Sequence, residues 1–174
     1  MAHEYIALIP ARGGSKGVPR KNLEVVGSET LLERAIRTGT ESLRIARCFV
    51  SSDDEEILAL AGERGVVGHR RSALASTDEA RASEVVNDLM ASHGELAEDV
   101  RIVYLQPTSP FRTASHVDRA IELLETAGAE SLVSVVASHQ LPEKSLTVTK
   151  AGLLALGPGG VDPGTNRQHE AESV

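Results

Sequence analysis

Residues 6–22 decide how the rest of the sequence is interpreted, and they read Ile6-Ala7-Leu8-Ile9-Pro10-Ala11-Arg12-Gly13-Gly14-Ser15-Lys16-Gly17-Val18-Pro19-Arg20-Lys21-Asn22. The opening apolar run is typical of a buried strand. The loop that follows contains three glycines, one serine and four cations but no acidic residue, although the whole chain has a formal net charge of -7. Cations gathered in one glycine-rich loop of an acidic protein indicate a bound polyphosphate.

The residue types in this loop suit an anion. Gly13, Gly14 and Gly17 lack a Cβ, so the backbone can adopt positive φ and turn its N–H groups toward a phosphate. Arg12 and Lys21 can donate charge-assisted hydrogen bonds to phosphoryl oxygens. The loop contains neither the Gly-Lys-Ser/Thr of a Walker A loop nor the Gly-x-Gly-x-x-Gly of the dinucleotide fingerprint. A solvated basic surface loop is the alternative interpretation.

The composition excludes several classes of protein. A chain of 174 residues with 41% apolar residues can bury the core of one domain. Aromatic residues make up only 2% and tryptophan is absent, so we expect an aliphatic core and no base-stacking platform for nucleic acid. Cys48 is the only cysteine, which excludes an intrachain disulfide or a cysteine zinc cluster. The sequence contains neither a signal peptide nor a membrane-spanning run, so we expect a cytoplasmic domain without a membrane or nucleic-acid partner.

Short apolar runs alternate with segments of helical periodicity. The predicted strands are residues 5–10, 48–51, 66–67, 102–105 and 132–136. The predicted helices are residues 31–40, a helix that starts within 51–56 and ends at Gly62 or Gly65, residues 83–93, and residues 117–127 with Ser115 as the cap. Residues 68–82 are predicted to be irregular. This alternation predicts an α/β fold with a mostly parallel sheet and right-handed crossovers.

The pattern of strands and helices ends near Lys150, beyond which glycine and proline predict turns. We therefore predict an α/β nucleotide-binding domain over residues 1–150. Residues 151–174 are predicted to begin a C-terminal or dimerisation segment that is truncated in this chain.

The loop also resembles the signature of a known family. Residues 9–22 are similar to the signature of the acylneuraminate cytidylyltransferases, the CMP-sialic acid synthetases, which related enzymes for legionaminic and pseudaminic acids share. Three further segments are similar to the same family: Gln106-Pro107-Thr108-Ser109-Pro110-Phe111-Arg112, the segment from Ser134 to Lys144, and Asn166-Arg167-Gln168. The resemblance covers nearly the whole chain, and it implies a three-layer fold of the nucleotide-diphospho-sugar transferase (Rossmann-like) type.

The resemblance implies a reaction. CMP would be transferred from CTP to the anomeric hydroxyl of N-acylneuraminate, with release of pyrophosphate. It implies Mg²⁺ as the cofactor, with carboxylate ligands beyond the end of this chain and none within it. It also implies a homodimer for the full-length form. Asp53 and Asp54 follow a predicted strand, and we interpret them as acids at a helix N-terminus rather than as metal ligands.

The resemblance also implies site residues. Arg12, Lys21 and Arg167 match catalytic positions. Predicted substrate contacts comprise the loop residues for phosphate and ribose, an arginine for cytosine, two positions near the base where many relatives have serine hydroxyls together with a serine that would substitute for them if the loop shifts by one residue, a glutamine for the sugar acid and a lysine for its carboxylate. In that order they are Arg12, Gly13, Ser15, Lys16, Lys21 and Asn22; Arg71; Ala80, Ala82 and Ser83; Gln106; and Lys144.

Other interpretations remain open at this point. His69-Arg70-Arg71 is also compatible with a basic surface pair, and the Gln106 loop with an ordinary turn between a strand and a helix. The sugar acid could be legionaminate or pseudaminate. A nucleotide-binding module that lacks catalysis and a sugar-1-phosphate nucleotidyltransferase of the same broad fold are further alternatives.

Overall fold

The computed structural model describes residues 3–14, 17–77, 79–96 and 100–135, together with the backbone of residues 146–148 and 154–156. The chain divides into two compact units, Met1–Leu132 and Val133–Val174. The first unit contains the sheet and all the helices named below. The predicted domain boundary near residue 150 lies outside the described residues and stays a prediction.

A four-stranded parallel sheet forms the centre of the first unit. The strands of this unit, in chain order, are β1 (Tyr5–Pro10), β2 (Val25–Val26), β3 (Glu29–Thr30), β4 (Arg47–Ser52), β5 (Val67–Arg70) and β6 (Arg101–Tyr104). The order across the sheet is β5-β4-β1-β6, so β1 is an inner strand, and every residue from Tyr5 to Ile9 is buried. β2 and β3 form a separate antiparallel hairpin whose turn contains Gly27 at φ 76.

Helices cover both faces of the sheet. The helices are α1 (Leu31–Thr40), α2 (Glu55–Glu63), α3 (Ala82–Ser92) and α4 (Ala114–Ala127). Ala7 and Ile9 of β1 belong to a buried cluster with residues of α1, α2 and α4, whereas Ile6 and Leu8 belong to a second cluster with residues of α3. This alternation along one strand is the two-residue period of a β-strand that is buried on both sides. The predicted three-layer α/β fold is confirmed.

The helix starts follow ordinary capping chemistry. Thr30 and Glu33 form a reciprocal capping box at the start of α1. Asp54 caps α2 and accepts hydrogen bonds from the backbone of the first turn, as expected for an acid at a helix N-terminus. The prediction of Ser115 as a cap was wrong, because Thr113 caps α4 and the helix begins at Ala114. The Thr113 hydroxyl oxygen accepts a hydrogen bond from the His116 N–H, whereas Ser115 lies within the first turn of the helix.

Several predicted bounds were confirmed and others need correction. β1 and α1 have the predicted bounds, and the three other helices and β4 and β6 agree within a few residues. β5 runs to Arg70, and a 3-10 turn covers Leu74–Ser76, so the region predicted to be irregular is partly ordered. The strand predicted at 132–136 is absent over residues 132–135, which have no regular structure. Val133 there is 60% exposed.

In the second unit, β7 (Leu146–Val148) pairs antiparallel with β8 (Leu154–Leu156). Among the helices that the structure describes, none combines the length and the apolar character needed to cross a membrane.

Candidate functional site

Loops converge at the edge of the sheet where the parallel strands end. The backbone pairing continues past the strand ends, because Ala11 N–H donates to the Ser51 carbonyl at 2.9 Å and Arg71 N–H donates to the Ser52 carbonyl at 2.9 Å. The segments after β1, β4 and β5 therefore stay side by side. Ligands of open α/β sheets bind at this edge.

The loop after β1 is held against the amino end of α2. The Gly13 N–H donates to Asp53 Oδ1 at 2.9 Å. A Cβ on Gly13 would lie 2.4 Å from Asp54 Oδ2, which is closer than real Cβ atoms approach. Gly13 is not in the left-handed region, so this close approach, and not the positive φ that the sequence suggested, explains why a glycine fits here. The Gly13 N–H was predicted to face a phosphate, but in the structure the Asp53 carboxylate accepts its hydrogen bond.

Three polar residues shape the far end of this loop. Asn22 is buried, and its Nδ2 donates to the Arg12 carbonyl at 3.0 Å, so its amide nitrogen supports the loop. Lys21 opens the 3-10 turn Lys21–Leu23, and its side chain is partly exposed. Arg20 has φ 53 and forms an ion pair with Glu56 of α2. The predicted contacts of Lys21 and Asn22 with a ligand stay predictions.

Arg71 lies where the segments after β4 and β5 meet. Its Nε donates to Ser51 Oγ at 2.9 Å, which fixes the inner edge of the guanidinium. Burial lowers the pKa of Arg71, the Tyr104 hydroxyl and the Asp53 carboxylate raise it, and the positive charge of Arg12 lowers it further. Arg71 and Arg12 therefore lie near enough to interact electrostatically. An anion at this edge would relieve the repulsion between them.

A row of polar residues that the sequence did not indicate lies behind Arg71. His69 of β5 is only 2% exposed, and its Nδ1 lies 3.0 Å from Ser51 Oγ. On the other side of the ring, Nε2 lies 3.5 Å from Asp88 Oδ2 of α3. Asp88 Oδ2 also accepts from the Ser72 N–H at 3.0 Å. These residues connect α3 to the segment that carries Arg71.

The other predicted residues lie in three places. Ala80 precedes α3 and is half-buried, whereas Ala82 and Ser83 lie exposed in its first turn. Gln106 is exposed just after β6, which pairs with β1, so it follows a strand end at the same edge as Arg12. The remaining four, Ser15, Lys16, Lys144 and Arg167, lie outside the described residues.

Metal-ligating side chains are not clustered in the part of the chain that the structure describes. Among the residues described, no group of three or more His, Cys, Asp and Glu side chains is arranged to hold a metal ion. Asp54 Oδ1 accepts from the Glu56 N–H at 2.9 Å and from the Ile57 N–H at 3.3 Å, and Asp53 Oδ1 accepts from Gly13. Both carboxylates therefore have structural partners.

These features define a three-layer α/β protein with a cationic site at the carboxyl edge of a parallel sheet. The model of the cytidylyltransferase family matches residues 6–153. The chain belongs to the cytidylyltransferase family.

Curated relatives carry a more particular name. The chain is 35% identical over 157 residues to N-acylneuraminate cytidylyltransferase A of Danio rerio, covering 90% of this chain and 35% of the relative. It is 31% identical over 165 residues to the N-acylneuraminate cytidylyltransferase of a Streptococcus agalactiae strain, covering 94% of this chain and 39% of the relative. The chain thus spans little more than a third of the length of these relatives.

Solved structures support the fold. CMP:2-keto-3-deoxy-manno-octonic acid synthetase complexed with CTP aligns with a TM-score of 0.58 at 17% identity, covering 72% of this chain and 49% of that chain. 4-Diphosphocytidyl-2C-methyl-D-erythritol synthase aligns with a TM-score of 0.56 at 20% identity, covering 74% and 56%. At these identities the likeness shows the fold alone.

Proposed function

We propose that this chain binds CTP at the carboxyl edge of its sheet and acts as an N-acylneuraminate cytidylyltransferase. The observation that carries the proposal is the pair Arg12 and Arg71, two partly buried guanidinium groups on loops that follow different strands of one sheet. A nucleoside triphosphate offers a charged tail and a polar base, which suit two separate arginines. The names of the relatives support the choice of CTP and of the sugar acid.

In the proposed complex, Arg12 and Lys21 contact the triphosphate, and the guanidinium of Arg71 contacts the cytosine. A planar guanidinium offers several donors in a fixed geometry, which suits the carbonyl and ring nitrogen of a base. The anomeric 2-hydroxyl of the sugar acid attacks the α-phosphorus in line with the departing pyrophosphate. The bond from that oxygen to phosphorus forms as the bond to pyrophosphate breaks, the hydroxyl proton is released to water, and the negative charge moves to the leaving group.

The protein contributes mainly position and charge to this reaction. Cations beside the triphosphate stabilise the charge that develops on the leaving pyrophosphate. Gln106, exposed after β6, is proposed to hold the sugar acid through its amide. Roles for Ser15 and Lys16 at the phosphates, Lys144 at the sugar carboxylate and Arg167 in catalysis stay predictions.

The predicted partners beyond the substrates also stay predictions. Mg²⁺ as the cofactor stays a prediction from the resemblance, and we assign it no step in the reaction. A homodimer of the full-length form is proposed on the resemblance alone, and a cytoplasmic location stays a prediction from the sequence.

Calorimetry and a pyrophosphate assay on this chain test the proposal together. We expect CTP to bind, and pyrophosphate to be released when CTP is supplied with N-acylneuraminate. Parallel assays with legionaminate and pseudaminate choose among the acids, and pyrophosphate release only with a sugar phosphate would instead indicate the sugar-1-phosphate enzyme. Binding of CTP without pyrophosphate release would identify a nucleotide-binding module. Absence of CTP binding would overturn the proposal.

A further inference from the structure

The row of polar residues behind Arg71 consists of two side-chain hydrogen bonds and a carboxylate that faces the His69 ring. It runs from the Arg71 guanidinium to Ser51 Oγ at 2.9 Å and on to His69 Nδ1 at 3.0 Å. It ends at Asp88 Oδ2, 3.5 Å from His69 Nε2. His69 and Ser51 are essentially buried, so bulk water cannot replace a missing partner.

The donors and acceptors in this row of polar residues favour one direction for its hydrogen bonds. The Nε of an arginine only donates, so Ser51 Oγ accepts from Arg71. The hydroxyl hydrogen of Ser51 is then available to His69 Nδ1, provided that this nitrogen carries no hydrogen, and the Asp88 carboxylate that faces Nε2 favours the ring hydrogen on that side. In that arrangement His69 is neutral with its hydrogen on Nε2, the atom that is buried without a hydrogen-bond partner and that faces the Asp88 carboxylate.

The surroundings of His69 favour the neutral ring. Burial lowers the pKa of His69, and the charge of Asp88 opposes that shift, whereas His93 and Arg71 lower the pKa further. The His93 ring lies 5.7 Å away, centroid to centroid, at the end of α3. Protonation of Nδ1 would place a donor where the Ser51 hydroxyl needs an acceptor. It would also put a second positive charge near Arg71.

We propose that His69 is a positioning residue of the nucleotide site. Its neutral ring orients the Ser51 hydroxyl, and Ser51 in turn fixes the guanidinium of Arg71 in the orientation that contacts the base. Asp88 supports the row from α3, because its carboxylate faces the His69 ring and also binds the Ser72 N–H next to Arg71. The contact between Arg71 and the base rests on the proposed function, whereas the orientation of the Arg71 guanidinium by Ser51 and His69 does not depend on it.

The orientation is tested first without any ligand. Nitrogen-15 NMR of the labelled chain is expected to show His69 protonated at Nε2. His69→Phe fills the ring volume but removes the acceptor, whereas His69→Asn keeps an acceptor close to the position of Nδ1. We expect the Arg71 Nε–H to exchange with solvent about tenfold faster in His69→Phe and much less so in His69→Asn. A hydrogen on Nδ1, or equal exchange rates in all three proteins, would overturn the positioning role.

The effect on the ligand is tested by calorimetry with CTP and with inorganic tripolyphosphate. His69→Phe is expected to weaken CTP binding about tenfold and to leave tripolyphosphate binding unchanged, because only the base contact depends on Arg71. His69→Asn is expected to restore most of the CTP affinity. Equal CTP affinity of His69→Phe and the unmodified chain would refute the inference.

The pH dependence of CTP affinity provides a second test of the effect of His69 on ligand binding. Because neutral His69 is the competent form, CTP affinity should fall as the pH drops below the ordinary range of histidine, and this fall should be weaker in His69→Asn. Tripolyphosphate corrects for the titration of the phosphates themselves. Failure of the unmodified chain to bind CTP would overturn the proposed function, whereas the exchange measurement would still decide whether His69 positions Arg71.

Discussion

Gly13 is the residue at which the loop after β1 touches the cap of α2. In Gly13→Ala the new Cβ would lie 2.4 Å from Asp54 Oδ2, so the loop or the cap must move. Since Asp54 binds two N–H groups of α2, we expect the free energy of unfolding to fall by roughly 1–3 kcal/mol. Denaturant unfolding measures this change.

Gly14→Ala is the matched control, because a Cβ on Gly14 would meet nothing within 4 Å. Equal stability of the two variants would show that the contact with Asp54 does not constrain the loop.

Arg12 is the residue whose charge we assign to the triphosphate. Loss of a charge-assisted hydrogen bond is expected to weaken CTP binding roughly ten- to hundredfold in Arg12→Ala. CMP lacks the β- and γ-phosphates, so its binding should change far less. Titration calorimetry of both nucleotides measures the difference.

Arg44→Ala removes the same charge at a distance from the site, where the side chain pairs with Glu125. This variant should bind both nucleotides normally. If Arg12→Ala weakened CTP and CMP to the same degree, the assignment of Arg12 to the triphosphate would be wrong.

Among the elements, α1 begins with a capping box whose strength depends on pH. Thr30 N–H donates to Glu33 Oε2 at 2.7 Å, and Glu33 N–H donates to Thr30 Oγ1 at 3.1 Å. These bonds to Thr30, with a smaller contribution from Arg64, hold the pKa of Glu33 below its usual value. A carboxylate with a lowered pKa stabilises the fold above its ordinary pKa, and this contribution is lost as the pH falls through the folded value.

We therefore expect Glu33→Gln to reduce the dependence of stability on acidity. The unmodified chain should lose more of its free energy of unfolding than the variant between pH 7 and about pH 3. Urea unfolding at several pH values measures both slopes. Glu63→Gln, an exposed change of the same kind at the end of α2, should leave the slope nearly as it is. An unchanged slope in Glu33→Gln would contradict the assignment.

The sequence predicted those elements whose own residues determine them. β1 is a continuous apolar run, and α1 has helical apolar spacing after a threonine cap, so both bounds were confirmed. The strand at 132–136 was predicted from an equally apolar run. A strand also needs a neighbour to pair with, and residues 132–135 pair with none of the strands that the structure describes. Local composition does not contain that information.

The site was predictable to a similar degree. The resemblance indicated Arg12 and Arg71, and the structure brings them to one edge of the sheet. It did not indicate Ser51, His69 and Asp88, because their proximity depends on the register of β4 with β5 and on the packing of α3. One signal was present in the sequence, since Ser51 is two residues after Phe49 and so points to the same buried face.

At the scale of the whole molecule, Cys48 reports on unfolding. Cys48 of β4 is 8% exposed, and burial raises the pKa of its thiol to about 12. Because the thiolate is the reactive form, we expect almost no alkylation of the folded chain near pH 8. Addition of urea should raise the rate of Cys48 alkylation in parallel with the unfolded fraction.

Mass spectrometry of iodoacetamide-treated samples follows this reaction. As Cys48 is the only cysteine, each modified molecule records one opening event. A rate in native buffer close to that of an unfolded chain would contradict the buried position of the thiol.

The central place of β1 has a consequence for biosynthesis. Its two neighbours are far along the chain, since Ile6 is paired with Arg47 and Tyr5 with Arg101. A nascent polypeptide therefore carries this buried apolar strand without a pairing partner until the ribosome has delivered both later segments. Closing such long loops is entropically costly before any contact compensates, which slows assembly of parallel sheets. During translation this strand is thus a segment that needs shielding, and a chaperone that recognises short aliphatic stretches would find one at residues 6–9.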